Sequence, residues 1–200
     1  MTLLIKNGLV FSEFNEEPTR GDVFVRGNRI LRLGKFSRGS ADYVIDASGC
    51  MVMPGLVDTA TDFDHYFGPF SVDFQGEYAK RGITTVLGGG MGVSLAPFSE
   101  EFDGFVFRPW DFSSANVNWH SVKDFLRAVR RQKMLINFGV VVGYESLRMK
   151  FTGERARDLS EREHLAILRF IRKSFHDGAF GVSFNFVSPI VKRVAQEELL

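Results

Sequence analysis

The chain has 200 residues, 44% of them hydrophobic, with 25 Lys and Arg against 24 Asp and Glu for a formal net charge of +1. That balance gives no electrostatic reason to expect nucleic acid or an anionic membrane as a partner, and no run reaches the ~18–20 apolar residues of a membrane span. A single cysteine, Cys50, excludes an intramolecular disulfide. Residues 1–8 turn polar too soon for a signal peptide, so a cytoplasmic location is expected.

In chain order, the first segment reads as short strands and turns. Residues 3–11 form one apolar run, interrupted by Lys6-Asn7-Gly8. Asp22-Val23-Phe24-Val25-Arg26 alternates, and Gly27-Asn28 supplies a tight turn into a second run over 29–33. Residues 43–46 make another short strand. A small β-sandwich or sheet fits these signals.

After residue 58 the pattern changes to alternating helix and strand. A helix is predicted over 72–80 and a short buried strand over 83–87. Residues 121–132 are amphipathic, with Val122, Phe125, Leu126 and Val129 on one face; the basic run 127–133 reads as its solvated side. Residues 135–142 are almost continuously apolar, as in a strand covered on both faces. Ser160-Glu161-Arg162-Glu163 is a capping box. The helix it opens is predicted to bury Leu165, Leu168, Ile171, the stem of Arg172 and Phe175, and to end at Gly178. The next strand covers 179–184. Residues 196–200 read as the start of a further helix.

The strands 52–58, 83–87, 135–142 and 179–184 are about half of the eight that close a parallel βα barrel. Half a barrel leaves unpaired edges and an uncovered core. The expectation is a truncated chain, a gene fragment or a remnant; the alternative is a second half from another chain or a second copy.

Five motifs, in order, carry a resemblance. Val52-Met53-Pro54-Gly55-Leu56-Val57-Asp58 is similar to the P-G-[FL]-[IV]-D-x-H-x-H strand that opens amidohydrolase barrels, after Gly21-Asp22-Val23 and Val44-Ile45-Asp46-Ala47-Ser48-Gly49, which match the hairpin and lead-in of that superfamily. Residues 82–97, with Gly82-Ile83-Thr84-Thr85-Val86 and Ser94-Leu95-Ala96-Pro97, resemble the G-[VI]-T-T-V-x-x-G-N-C-G-x-S-x-A-P pattern of N-acyl-D-amino-acid deacylases (D-aminoacylases). Trp119 to Leu126, Val142-Gly143-Tyr144-Glu145-Ser146-Leu147-Arg148, and Asp177-Gly178-Ala179-Phe180-Gly181-Val182-Ser183 with Pro189 resemble later motifs of the same family. The resemblance runs over nearly the whole chain. It implies an α/β fold: a small N-terminal β-sandwich segment over 1–51, then the first half of a TIM-like (β/α)8 barrel of amidohydrolase type over 52–200.

The departures fall on functional positions. Ala60 and Asp62 stand where the family has its metal-binding His pair, Met91 where it has a metal-binding Cys, and Tyr144 where a His is usual. Asp62 and Asp64, with His65 nearby, read as a residual metal site or as polar loop residues at the barrel mouth, the second reading preferred because zinc normally needs three or four ligands. Met91 is read as a packing residue. The loop Gly88-Gly89-Gly90-Met91-Gly92 reads as a tight turn, with an anion cradle as the alternative. Tyr144, Glu145 and Arg148 are substrate-binding candidates, Arg148 as the partner of a carboxylate or of a structural ion pair. His120, His164 and His176 are expected at the surface or its boundary, and Cys50 buried and inert. No catalytic residue is assigned.

What the resemblance implies is a hydrolase of non-peptide carbon–nitrogen bonds, such as the amide of a small-molecule N-acyl amino acid, using zinc. The loss of the ligands implies an isolated chain without the metal and without this activity. The alternative is a non-catalytic pseudoenzyme or binding subunit, which admits a homo-oligomer or a partner chain that completes the barrel.

Overall fold

The structure is a computed structural model that describes residues 1–11, 17–97, 119–153, 155, 157–188 and 191. Its contacts divide the chain into two compact units, residues 1–55 and 56–200.

In the first unit five strands make one mixed sheet: β1 (Thr2–Val10), β2 (Thr19–Arg26), β3 (Arg29–Gly34), β4 (Tyr43–Asp46) and β5 (Met51–Val52). The order is β3-β2-β1-β4, with β5 also on β1. β2 runs antiparallel to β1 and β3, while β4 and β5 run parallel to β1. The turn between β2 and β3 uses Gly27 at φ 60, where a residue with a Cβ is disfavoured. The register of β1 on β2 shifts between Ile5 and Gly8, and at that irregularity Asp22 is the hub. It accepts from the Asn7 and Phe36 amides, both at 2.9 Å, and from Lys6 Nζ at 3.0 Å. Leu4, Val10, Val23 and Ala47 are buried. Cys50 is exposed, contrary to the buried position expected: it sits in the turn before β5, where its amide bonds to Ala47 and its side chain has no layer above it.

The second unit is a four-stranded parallel sheet, β6 (Leu56–Asp58), β7 (Ile83–Gly88), β8 (Asn137–Gly143) and β9 (Gly181–Ser183), in sequential order. Among the described residues four α-helices accompany it: α1 (Val72–Lys80), α2 (Val122–Arg130), α3 (Tyr144–Thr152) and α4 (Glu161–Asp177). The expected single strand over 52–58 is two. Pro54, which has no N–H to give a ladder, separates β5 in the first sheet from β6 in the second.

The main core lies between the helices and one face of this sheet. Val122, Phe125 and Val129 of α2, Leu147 and Met149 of α3 and Ile167 of α4 close on Val140 and Val142. Trp119 joins them, stacked on Phe70 at 5.5 Å with planes 7° apart. A second cluster has Phe63 at its centre, with Val86, Ile136, Phe74 and Tyr78 around it.

α4 begins and ends as the sequence predicts. Ser160 accepts from the Glu163 amide, Glu163 reaches back to the Ser160 amide, and Gly178 caps the end at φ 108. Its buried face is rotated from the one expected: Ile167 and Ser174 are buried and Ile171 packs partly, while Leu165 and Phe175 are 45% and 49% exposed and Arg172 lies outside. No helix of the described residues is long and apolar enough to cross a membrane. Pro189 and residues 196–200 lie outside the described residues.

Candidate functional site

The C-terminal ends of the parallel strands are where barrel proteins build their sites. Here that rim consists of residues 59–67 after β6, 88–97 after β7, the start of α3 after β8, and 184–188 after β9.

After β6, Ala60 is exposed and offers no ligand atom; its amide bonds to Asp58 Oδ1 at 3.1 Å. Asp62 is exposed. Asp64 is buried, 1% exposed, and its two oxygens point to backbone: Oδ1 accepts from the Gly89 amide at 2.9 Å and Oδ2 from the Leu95 amide at 3.3 Å. Burial pushes the Asp64 carboxyl up from its usual range, against the opposing pull of His65 and the two amides. The His65 ring nitrogen Nε2 is 4.0 Å from Asp64 Oδ1 and 3.1 Å from the Val93 carbonyl oxygen, to which it donates. The two candidate metal carboxylates therefore sit in opposite settings, one in solvent and one bound to amides. Asp64 is an anchor for the loop after β7.

That loop is tightly threaded. A Cβ on Gly89, at φ 86, would stand 1.7 Å from the Val141 carbonyl oxygen, and one on Gly92, at φ 81, would stand 2.9 Å from the Asn185 amide nitrogen. Only glycine fits both the space and the backbone angle. The loop is tied to β9, for Ser183 Oγ donates to the Gly89 carbonyl at 2.5 Å and accepts from the Gly92 amide at 3.0 Å. Met91, expected to pack, is 68% exposed at φ 56. The glycines on both sides fix the backbone so that this one side chain turns outward.

After β8 the chain enters α3, a helix for which the sequence pattern carries no periodic signal. Nothing in Tyr144-Glu145-Ser146-Leu147-Arg148-Met149 alternates polar with apolar, because six successive side chains are buried. The predicted substrate-binding residues belong to this run: Tyr144 is 2%, Glu145 3% and Arg148 0% exposed. Tyr144 packs on Phe184 with ring centroids 4.9 Å apart. Glu145 Oε1 accepts from Ser188 Oγ, and burial pushes its carboxyl up despite that bond. Arg148 Nη2 donates to the Arg157 carbonyl at 2.7 Å. Ser94 joins loop to helix: its Oγ accepts from the Gly143 amide and its amide donates to Ser146 Oγ, both at 3.0 Å.

The segment after β9 is pinned from below by Glu145 and folded on itself, with the Val187 amide on Asn185 Oδ1 at 3.1 Å. It presents Phe184 and Phe186, stacked 5.7 Å apart with planes 5° from parallel. These aromatics went unnoticed in the sequence, although Ser183-Phe184-Asn185-Phe186 places two Phe at strand spacing just past a strand end.

A divalent metal needs several N, O or S donors converging on one point. Among the described residues no group of three or more His, Cys, Asp or Glu is so placed. Of the positions where the resemblance implies donors, 60 holds Ala, Asp62 faces solvent and Met91 turns outward. The residues present do not fit the group.

No protein-family model matches the chain. Among curated proteins it is 28% identical over 198 residues to the D-aminoacylase of Alcaligenes xylosoxydans xylosoxydans, covering 99% of this chain and 40% of that one. It is 31% identical over 186 residues to the N-acyl-D-aspartate deacylase of the same organism, covering 92% and 36%. Among solved structures it superposes on D-aminoacylase, a protein that defines a subset of amidohydrolases and has a binuclear metal centre, with a TM-score of 0.86 at 27% identity, over 98% of this chain and 41% of that one. The chain thus spans about 40% of the length of these relatives. Over that span, in sequence and in fold, it is a D-aminoacylase-like protein of the amidohydrolase superfamily.

Proposed function

We propose that this chain is a non-hydrolytic D-aminoacylase-like scaffold, which keeps the strand-end rim of its relatives and has rebuilt the metal positions for packing. The observation that carries the reading is Asp64. Its two oxygens are taken by the Gly89 and Leu95 amides, so the buried carboxylate at this rim serves the backbone. Ala60 cannot replace a ligand, and a Met thioether does not replace a thiolate on zinc.

In an enzyme of this type the metal supplies an activated water and polarises the amide carbonyl. Without such help the bound water keeps a pKa near that of bulk water, and hydrolysis near neutral pH lacks a nucleophile. The rim that remains suits a small-molecule N-acyl amino acid or a ligand like it. Tyr144, Glu145 and Arg148 act from beneath, holding Phe184 to Ser188 and the loop after α3, while Phe184, Phe186 and Met91 form the surface.

The test is release of free amino acid from N-acyl-D-amino acids by the purified chain, with and without added zinc. No turnover in either condition is expected. Zinc-dependent turnover abolished by Asp62→Ala contradicts the reading and restores a hydrolase.

A further inference from the structure

Glu145 lies in the first turn of α3, just past the end of β8, and is 3% exposed. Its Oε1 accepts from Ser188 Oγ, while among the described residues Oε2 has no hydrogen-bond donor and no cation beside it. A buried carboxylate ordinarily satisfies both oxygens or pairs with a charge. What packs on this one supplies no charge. The loop after β7, where a Cβ on Gly92 would stand 3.4 Å from the Glu145 Cβ, has no titratable side chain over 88–97, and neither has 184–188. Asp64 and His65 are bound to the far side of that loop, at Gly89, Leu95 and Val93. On α3 itself Tyr144 packs on Phe184, Arg148 donates to the Arg157 carbonyl and Lys150 lies over the Phe170 ring.

The segment above Glu145 is anchored on both sides. Before it, Ser183 Oγ is bonded to the Gly89 carbonyl and the Gly92 amide. After it, Val191 is 2% exposed in the main core, its amide on the Ser188 carbonyl at 3.1 Å. Between these anchors two neighbouring α3 residues grip it, Tyr144 through Phe184 and Glu145 through Ser188.

We propose that Glu145 and Ser188 form a pH-sensitive latch: loss of the Glu145 proton to solvent loosens 184–188 from α3, so the Phe184 and Phe186 face of the rim is held most firmly in acid and opens more often as pH rises. The neutral acid leaves no charge on Oε2. The anion leaves one there without a donor, and local opening lets water reach it. Burial lifts the Glu145 carboxyl above its ordinary 4.5 against the pull of Ser188, so the closed segment holds the proton more tightly than the open one. Closure is therefore favoured in full below 4.5 and weakens as pH rises through the closed-state value. The latch holds whether or not the rim hydrolyses anything.

The experiment is amide hydrogen exchange on the whole chain, each rate divided by the intrinsic rate at the same pH. From pH 4.5 to about pH 8, protection over 184–188 is expected to fall about tenfold or more, while 139–142 in β8 keeps its own. Glu145→Gln is expected to abolish the fall. Ser188→Ala, which takes the donor from the carboxylate, is expected to enlarge it. No fall, an equal fall in Glu145→Gln, a fall unchanged by Ser188→Ala, or one shared by β8 overturns the proposal. Exchange is read without zinc or substrate, so the latch and the non-hydrolytic reading can each fail without the other.

Discussion

Two buried carboxyls at the rim, Asp64 as a metal-ligand candidate and Glu145 as a substrate-binding candidate in the sequence, each make a prediction. Asp64 accepts two backbone amides in a site 1% exposed. Asp64→Ala leaves both donors buried without an acceptor, at a cost of about 1–3 kcal/mol for each group. Urea unfolding with and without zinc checks this: the same loss is expected in both conditions, whereas a metal ligand gives a loss confined to the zinc sample. Asp62→Ala, at an exposed position, is expected to change stability by no more than about 0.5 kcal/mol.

Glu145 gives a pH signature. Its folded-state pKa lies above the ordinary 4.5 because of burial, so the native state binds the proton more tightly than the unfolded chain. The stability this gives is present below 4.5 and is lost as pH rises through the folded value. Glu145→Gln keeps the Ser188 contact without the charge. It is expected to unfold at a higher temperature than the unaltered protein at pH 7, and the difference is expected to shrink toward pH 4.5. Equal melting temperatures across that range contradict the account of Glu145.

At the scale of elements, the helices show where sequence is informative and where it is not. The α4 ends were legible because caps are local: Ser160, Glu163 and Gly178 satisfy the helix's own terminal groups. Ser160→Ala is expected to cost about 1 kcal/mol, read from the denaturation midpoint. The Arg157 guanidinium first, and then the Ser160 amide, hold the Glu163 carboxyl down at about 2, so its contribution is full above the ordinary 4.5 and is lost as pH falls from there through about 2. The buried face of α4 was less legible, because Leu165 and Phe175 are as apolar as Ile167 and only tertiary packing chooses between them. α3 was missed for a related reason. A helix buried all round carries no periodic signal; its local marks are Gly143 before it and Gly153, at φ 57, after it. The divided strand at Pro54 was legible in principle from the missing N–H. Met91 and Cys50 were misjudged because apolar character predicts burial only where a layer exists to bury against.

For the whole molecule, the strand order and the family were legible from motif order, since each motif falls at a strand end or helix start that the structure reproduces. The site was legible only as a set of substitutions. That Ala60, Asp62, Met91 and Tyr144 depart from the motif pattern the chain resembles is visible in sequence. That Asp64 turns inward to two amides, and that Phe184 seats on Tyr144, depends on contacts 25 to 40 residues away along the chain.

The proposed function has the metal positions rebuilt for packing. The most direct measurement is zinc stoichiometry by elemental analysis after equilibration with zinc and removal of the unbound ion, for the unaltered chain and for Ala60→His/Asp62→His/Met91→Cys. Far less than one equivalent is expected in the unaltered chain and a gain in the triple variant, whose His and Cys donors suit zinc. About one zinc per unaltered chain, lost on Asp62→Ala, contradicts it, because a metal centre then exists that the packing of Asp64 and Met91 does not account for.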